Sequence, residues 1–203
     1  MQSRHIRRCA LAVLLAAVAG VAQAHTGHGT HSLMQGLAHP FGLDHLLAMV
    51  AVGVWSVSAL PPARAWMGPA TFLAALLASA ALGLAGFTLP WLEHAIALSV
   101  VMFGAMLLVA ARPLPTSAGL ALVALAASMH GLAHGAEAPA GGLAGFTGYA
   151  AGFLLTTAAL HVGGVAIGLS VRRWLGERRA AVLGGLGAAL GAAGIYLFGQ
   201  LAA

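Results

Sequence analysis

Six apolar blocks follow one another along this chain, at residues 41–60, 66–86, 91–111, 117–134, 143–170 and 180–202. Each is close to the about 20 residues that carry a helix across a bilayer core. The breaks between them hold proline or charge: Pro61-Pro62, Pro90, Pro113 and Pro115, Pro139, and the stretch 172–179 with its four arginines. Ahead of the blocks, residues 1–24 have a basic start (Arg4, Arg7, Arg8), an apolar core over 10–21 and the small-residue ending Ala22-Gln23-Ala24. That order fits a cleavable secretory signal with an Ala-x-Ala site, and its apolar core is short for an uncleaved anchor. The pattern predicts an all-α, polytopic membrane protein: a signal peptide at 1–24, an external His-rich segment at 25–40, and one membrane domain of six transmembrane helices at 41–203.

Composition excludes a soluble domain. Of 203 residues, 61% are hydrophobic and 6% charged, with mean hydropathy +0.95, against roughly 25% charged in soluble proteins. The single cysteine, Cys9, precedes the apolar core of the signal. The predicted mature chain therefore has no disulfide, no thiolate nucleophile and no soft thiolate metal site. It has no lysine and no phosphate-binding glycine-lysine motif, which argues against nucleotide hydrolysis.

The net charge of +5 is explained by topology, without a nucleic acid partner. Outside the signal the arginines are Arg64, Arg112, Arg172, Arg173, Arg178 and Arg179, all in the loops after the first, third and fifth blocks. The positive-inside rule makes those loops cytoplasmic. The mature amino terminus and the remaining loops then face outward, which for a bacterial inner-membrane protein is the periplasm.

This topology gives the polar residues a common depth. The first block opens at its outer end with His39-Pro40-Phe41-Gly42-Leu43-Asp44-His45; the third starts there with Glu93 and His94; the fourth finishes there with His130, His134 and Glu137. Ionisable groups inside membrane spans are rare and face a pathway or a bound ion. His130, His134 and Glu137 fall at i, i+4 and i+7, one stripe of a helix, and Gly131 and Gly135 leave room beside it for another helix or a hydrated ion. Pro40 suits a first helical turn and is expected to hold His39 extended, folded back towards Asp44 and His45. Met49, one turn after His45, is a candidate thioether on the same wall. Imidazole and carboxylate without thiolate suit Ni²⁺, Co²⁺ or Zn²⁺ as a transported ion, with no prosthetic group. His25, His28 and His31 in the external segment are candidates for capturing the ion. His161, beside Thr156 and Thr157 in the inner half of the fifth block, is either an interhelical hydrogen-bond donor or a lower station on an ion path. His94 reads as an interfacial side chain, and Glu93 fits a helix-dipole role as well as a site role.

The stretch 39–53, HPFGLDHLLAMVAVG, together with Glu93 before Ile96-Ala97-Leu98-Ser99, the segment 130–137 (HGLAHGAE) and the glycine-rich final blocks, resembles the HupE/UreJ family of nickel permeases. The resemblance spans nearly all of the predicted mature chain. It implies secondary import of nickel, in some members cobalt, for hydrogenase or urease maturation. Carried over by motif, it places metal handling on His39, Asp44, His45, Glu93, His134 and Glu137, with Phe72 as a match in the second block. One spacing departs from the family pattern: four residues separate His39 from Asp44 where the pattern has five.

The resulting expectation is a permease, not an enzyme, that passes a divalent ion inward through the bilayer, driven by membrane potential or cytoplasmic sequestration. Two rivals have distinct signatures. A membrane metal-dependent hydrolase could use His130, His134 and Glu137 around zinc, although Gly131 stands where a zincin has its glutamate. A haem carrier would need facing axial histidines and would show a Soret band. Small-residue pairs at Gly141/Gly145, Gly148/Gly152, Gly164/Gly168 and Gly187/Gly191 predict close helix packing in the second half, within one chain or in a homo-oligomer.

Overall fold

In the computed structural model, residues 32–111, 114–138 and 142–202 are described, and these are helical with no strand among them. The predicted signal, His25, His28 and His31, Arg112 and Gly141 lie outside the described residues. Seven α-helices follow in order: α1 (Ser32–Ala38), α2 (Leu43–Ala59), α3 (Met67–Leu84), α4 (Leu92–Leu108), α5 (Thr116–Ala136), α6 (Gly142–Trp174) and α7 (Arg179–Leu201). Short 3-10 turns at His39–Phe41, Pro62–Arg64 and Gly176–Arg178 join three of the pairs.

Helices α2 to α7 correspond to the six apolar blocks. Four helical stretches are long and apolar enough to cross a membrane: Pro62–Leu84, Thr116–Ala136, Leu143–Trp174 and Gly176–Leu201. The pair Leu33–Phe41 and Leu43–Ala59 is bent by 75° and makes a fifth if it is one broken span. Helix α4, 17 residues long, measures about 26 Å at 1.5 Å per residue, just short of a core of roughly 30 Å. Its start is fixed by Trp91, whose φ of 63° ends the preceding turn in the left-handed region.

Glycines set the helix pairs. A Cβ on Gly131 would meet Ser79 Oγ and Leu76 O, and one on Gly135 would meet Ala80 O and Leu84 N, so the backbones of α3 and α5 are in direct contact. Gly53, Gly164 and Gly168 do the same for α2 and α6, and Gly104, Gly187 and Gly194 for α4 and α7. Of the predicted spacing pairs, Gly152, Gly164, Gly168, Gly187 and Gly191 lie against neighbouring helices, as expected of small-residue packing where water does not drive association.

Helix α1 was not expected, because it falls inside the stretch read as an external segment. It lies along the start of α6, where Gly36 meets Tyr149 O, Gly152 meets Leu33 O, and Thr156 Oγ1 donates to Leu37 O at 2.9 Å. A seven-residue helix has too little periodicity to register in sequence; packing creates it.

The arginine-bearing loops share one end of the bundle. Arg179 donates to Ser58 O at 2.7 Å, capping the C-terminal turn of α2. A cavity of about 410 Å³ there is lined by Ser58, Ala110, Ala111, Gly176, Glu177 and Arg179, which come from the end of α2, the loops after α4 and α6, and the start of α7. His45, at the start of α2, lies at the other end.

Candidate metal centre

The bend between α1 and α2 builds one wall of the site. His39 sits in the 3-10 turn rather than extended as expected, and the residue that leaves helical geometry is Gly42, with ψ of 139°. Pro40 is accepted because the turn is short and its missing N–H falls in the first positions, where helical donors are unpaired anyway. The consequence foreseen for His39 holds all the same. Its ring folds back to 5.2 Å from the His45 ring and 4.2 Å from the His134 ring.

Helix α5 supplies the opposite wall. It runs to Ala136 with Glu137 at its C-cap, so His130 and His134 share one stripe. The rings of His45 and His130 are 4.4 Å apart and those of His45 and His134 are 5.0 Å apart. Four imidazoles from two helices and one turn therefore meet in a protein interior, with His45, His130 and His134 all buried. His39, His45 and His134 each bring one ring nitrogen within 4.8 Å of the other two. Ligands at roughly 2.0–2.1 Å from a tetrahedral ion lie about 3.4 Å apart, so the group needs to contract by at most about 1.4 Å to close on one.

The hydrogen bonds fix which nitrogens are available. Asp44 Oδ1 lies 3.0 Å from His45 Nδ1 and also accepts the His45 backbone N–H at 2.8 Å. A carboxylate only accepts, so the ring proton is on Nδ1 and His45 Nε2 is left bare. Ser99 Oγ donates its one hydrogen to Ile96 O at 2.7 Å and must accept from His130 Nε2 at 3.0 Å, which leaves His130 Nδ1 bare. Tyr149 Oη lies 3.2 Å from His134 Nδ1 and 3.0 Å from His39 Nδ1. The phenol has one hydrogen and can also accept, so it joins the two rings either by accepting from both or by accepting from one and donating to the other; a ring that donates its Nδ1–H keeps Nε2 bare. His45 Nε2, His130 Nδ1 and His134 Nε2 are buried and, among the described residues, have no hydrogen-bond partner. Unsatisfied buried nitrogens are rare and costly; here all three belong to rings of one cluster.

The predicted site residues divide. Glu137 Oε2 is 3.6 Å from His39 Nδ1, at the more exposed rim. Glu93 stands exposed in the first turn of α4 and is not part of the close histidine group. His94 meets the rings of Trp91 and Phe198, each at 5.1 Å, as an interfacial side chain would. Met49 is fully buried in the apolar core. Phe72, also fully buried, packs on both His130 (5.8 Å) and His161 (4.9 Å). His161 donates within its own helix, from Nδ1 to Thr157 O at 2.7 Å, and not between helices.

Sequence reasoning missed Ser99, Tyr149 and Phe153. The Phe153 ring stacks on His134 at 4.4 Å. A signal was present: Tyr149, Phe153, Thr157 and His161 recur every four residues along α6, a ridge of aromatic and polar residues that faces the protein interior, all of them buried.

Comparison with known proteins accords with this geometry. The sequence model described as HupE / UreJ protein matches residues 12–197. Protein HupE of Rhizobium leguminosarum bv. viciae is 42% identical over 180 residues, which cover 87% of this chain and 91% of that protein. No solved structure matches. A match of that extent, over a chain whose helices carry both histidine motifs into one cluster, makes this protein a member of the HupE/UreJ family.

Proposed function

We propose that this protein is a secondary importer of a divalent transition-metal ion, Ni²⁺ in the first place, from periplasm to cytoplasm, where the ion serves metalloenzyme maturation. The observation that carries the reading is the set of clustered imidazoles in which Asp44 holds His45 Nδ1, Ser99 holds His130 Nε2 and Tyr149 bonds His134 Nδ1, while the other nitrogen of each of these three rings is buried without a partner among the described residues. Histidines that bind metals ordinarily donate their other ring N–H to a carboxylate or another acceptor, as His45 does to Asp44. A soluble metalloenzyme could use the same ligands, but here they sit within a bundle whose outer face is apolar, with Leu125, Leu155, Val162, Ile167 and Ile195 exposed.

In this mechanism the bundle lies in the inner membrane with six crossings, the short α4 included, and with the arginine-bearing loops in the cytoplasm. Trp91 is exposed at the histidine end and Trp66 and Trp174 at the arginine end, where aromatic belts form at the two interfaces. The ion arrives by way of His25, His28 and His31 and sheds water to Glu137 and His39 at the rim. It then passes to His45 and His134. Asp44 does two things: it offsets part of the ion's charge in a poorly solvating interior and it keeps the His45 tautomer in the ligating form. No nucleotide takes part.

The test is initial-rate uptake of radiolabelled nickel in a host without its own importers, comparing wild type with Asp44→Ala at equal membrane expression. Saturable uptake that vanishes in the variant supports the proposal. Wild-type rates equal to the empty vector, with folded and inserted protein, would exclude nickel import.

A further inference from the structure

Deeper in the bundle, α6 repeats the ligand-presenting arrangement of the upper cluster with a histidine that the transport step above does not use. His161 is 1% exposed, and its Nδ1–H is held by Thr157 O at 2.7 Å. A carbonyl can only accept, so His161 is fixed as the tautomer with a bare Nε2. That Nε2 is buried without a partner among the described residues, and so is the hydroxyl of Thr157, one turn earlier and fully buried. Two unsatisfied polar atoms within one helical turn, in an apolar interior, are costly unless something fills the place. The tight contact of Gly53 with the backbone at His161 and Gly164 holds α2 against this part of α6.

Ring contacts join this place to the upper cluster. His130 is one turn below His134 on α5, and the Phe72 ring packs on both His130 and His161. Tyr149 and His161 are twelve residues apart on α6, about 18 Å along the helix, more than half of a bilayer core of roughly 30 Å.

We propose that His161 Nε2 and Thr157 Oγ1 form a second, deeper binding station for a partly dehydrated divalent transition-metal ion, reached from the His39/His45/His134 cluster past His130 and the Phe72 ring. It rests on the transport reading for its role, though not for its chemistry. An imidazole and a hydroxyl make a weaker set than three imidazoles with a neighbouring carboxylate, as suits a station from which the ion must leave.

The experiment uses the full chain with Cys9→Ser, which removes the sequence's single cysteine. His161→Cys then places one thiol at the station, and Val162→Cys places one on the exposed outer face of α6. Purified, monodisperse protein is titrated with Cd²⁺ and followed by the cadmium–thiolate absorption band, thiolate being a soft ligand that cadmium favours. His161→Cys is expected to bind one Cd²⁺ per chain at least tenfold more tightly than Val162→Cys, with Ni²⁺ competing. In parallel, His161→Ala is expected to cut nickel uptake at least tenfold while leaving metal affinity of the upper cluster within twofold of wild type. Cd²⁺ binding no tighter in His161→Cys than in Val162→Cys overturns the station, as does His161→Ala uptake within twofold of wild type. If wild type imports no metal, the transport reading fails, and the cadmium titration still decides whether the station takes an ion.

Discussion

Replacing Tyr149 by Phe deletes one oxygen and leaves the buried ring where it is, yet it should weaken metal binding more than most changes of that size. Tyr149 Oη is the hydrogen-bond partner of His134 Nδ1 at 3.2 Å and of His39 Nδ1 at 3.0 Å. With His134 donating to it, Tyr149 is the acceptor that keeps the ring proton on Nδ1, and the variant removes that acceptor. The tautomer protonated at Nε2 then competes, and that nitrogen can no longer ligate. Two hydrogen bonds with net values of roughly 0.5–1.5 kcal/mol each are lost. Groups that hydrogen-bond the far nitrogen of a metal-binding histidine are typically worth about 10- to 100-fold in affinity, or about 1.4–2.7 kcal/mol, so the two ways of counting agree. The Phe153 ring, stacked on His134 at 4.4 Å, keeps the imidazole plane in position, so the loss falls on tautomer and affinity and the fold is retained. The assay is isothermal titration of purified protein with Ni²⁺ or Co²⁺ in a background of His25→Ala, His28→Ala and His31→Ala, which removes chelation by the amino-terminal tract. We expect the dissociation constant to rise about 10- to 100-fold with an unchanged elution profile. A constant within threefold of the parent, in folded protein, would refute the assignment of Tyr149 as the residue that sets the tautomers of this cluster.

Four further outcomes follow from the same geometry. Gly135→Ala should lower folded yield and melting temperature, because a Cβ there meets Ala80 O and Leu84 N of α3 and overpacking costs roughly 1–3 kcal/mol; Gly163→Ala, with nothing within 4 Å, should be neutral or slightly stabilising in the same thermal assay. Arg179→Ala should destabilise by about 0.5–1.5 kcal/mol through loss of the bond to Ser58 O, read as a lower melting temperature. His94→Phe should leave nickel uptake within about twofold, since His94 is held by Trp91 and Phe198 outside the histidine cluster. Metal capture by the amino-terminal histidines requires neutral imidazole, so the sign runs with pH: uptake at low nickel should fall as the medium is acidified through the imidazole reference value of roughly 6.5, and the triple alanine variant should lose that part of the dependence.

Much of the architecture was legible because it is local. A run of about 20 apolar residues forms a helix whatever surrounds it in a bilayer, so α2 to α7 lie within a few residues of the predicted blocks. The stripe His130, His134 needs only helical periodicity, and Gly131 and Gly135 had to mark a close neighbour, which proves to be α3. The arginines in alternate loops required those loops to share one end of the bundle, and Arg179, Ser58 and Ala111 do meet there. The family, too, was written in the motifs.

Only the tertiary structure decided which of the polar residues act together. Sequence placed Glu93 with the histidines because both lie at the same end of their helices, but depth alone does not set direction around a helix axis, and α4 instead contributes Ser99 to the cluster. Nor could sequence give the 75° bend that brings His39 back onto His134, or α1, which is too short to form without α6. Each imidazole is oriented by one hydrogen-bond partner, and those partners range from the adjacent residue, for His45, to positions 15, 31 and 110 residues away, for His134, His130 and His39. Apolar length and helical period are properties of neighbours along the chain, so the sequence carries them openly; the proton on a histidine ring belongs to whichever atom the fold sets beside it.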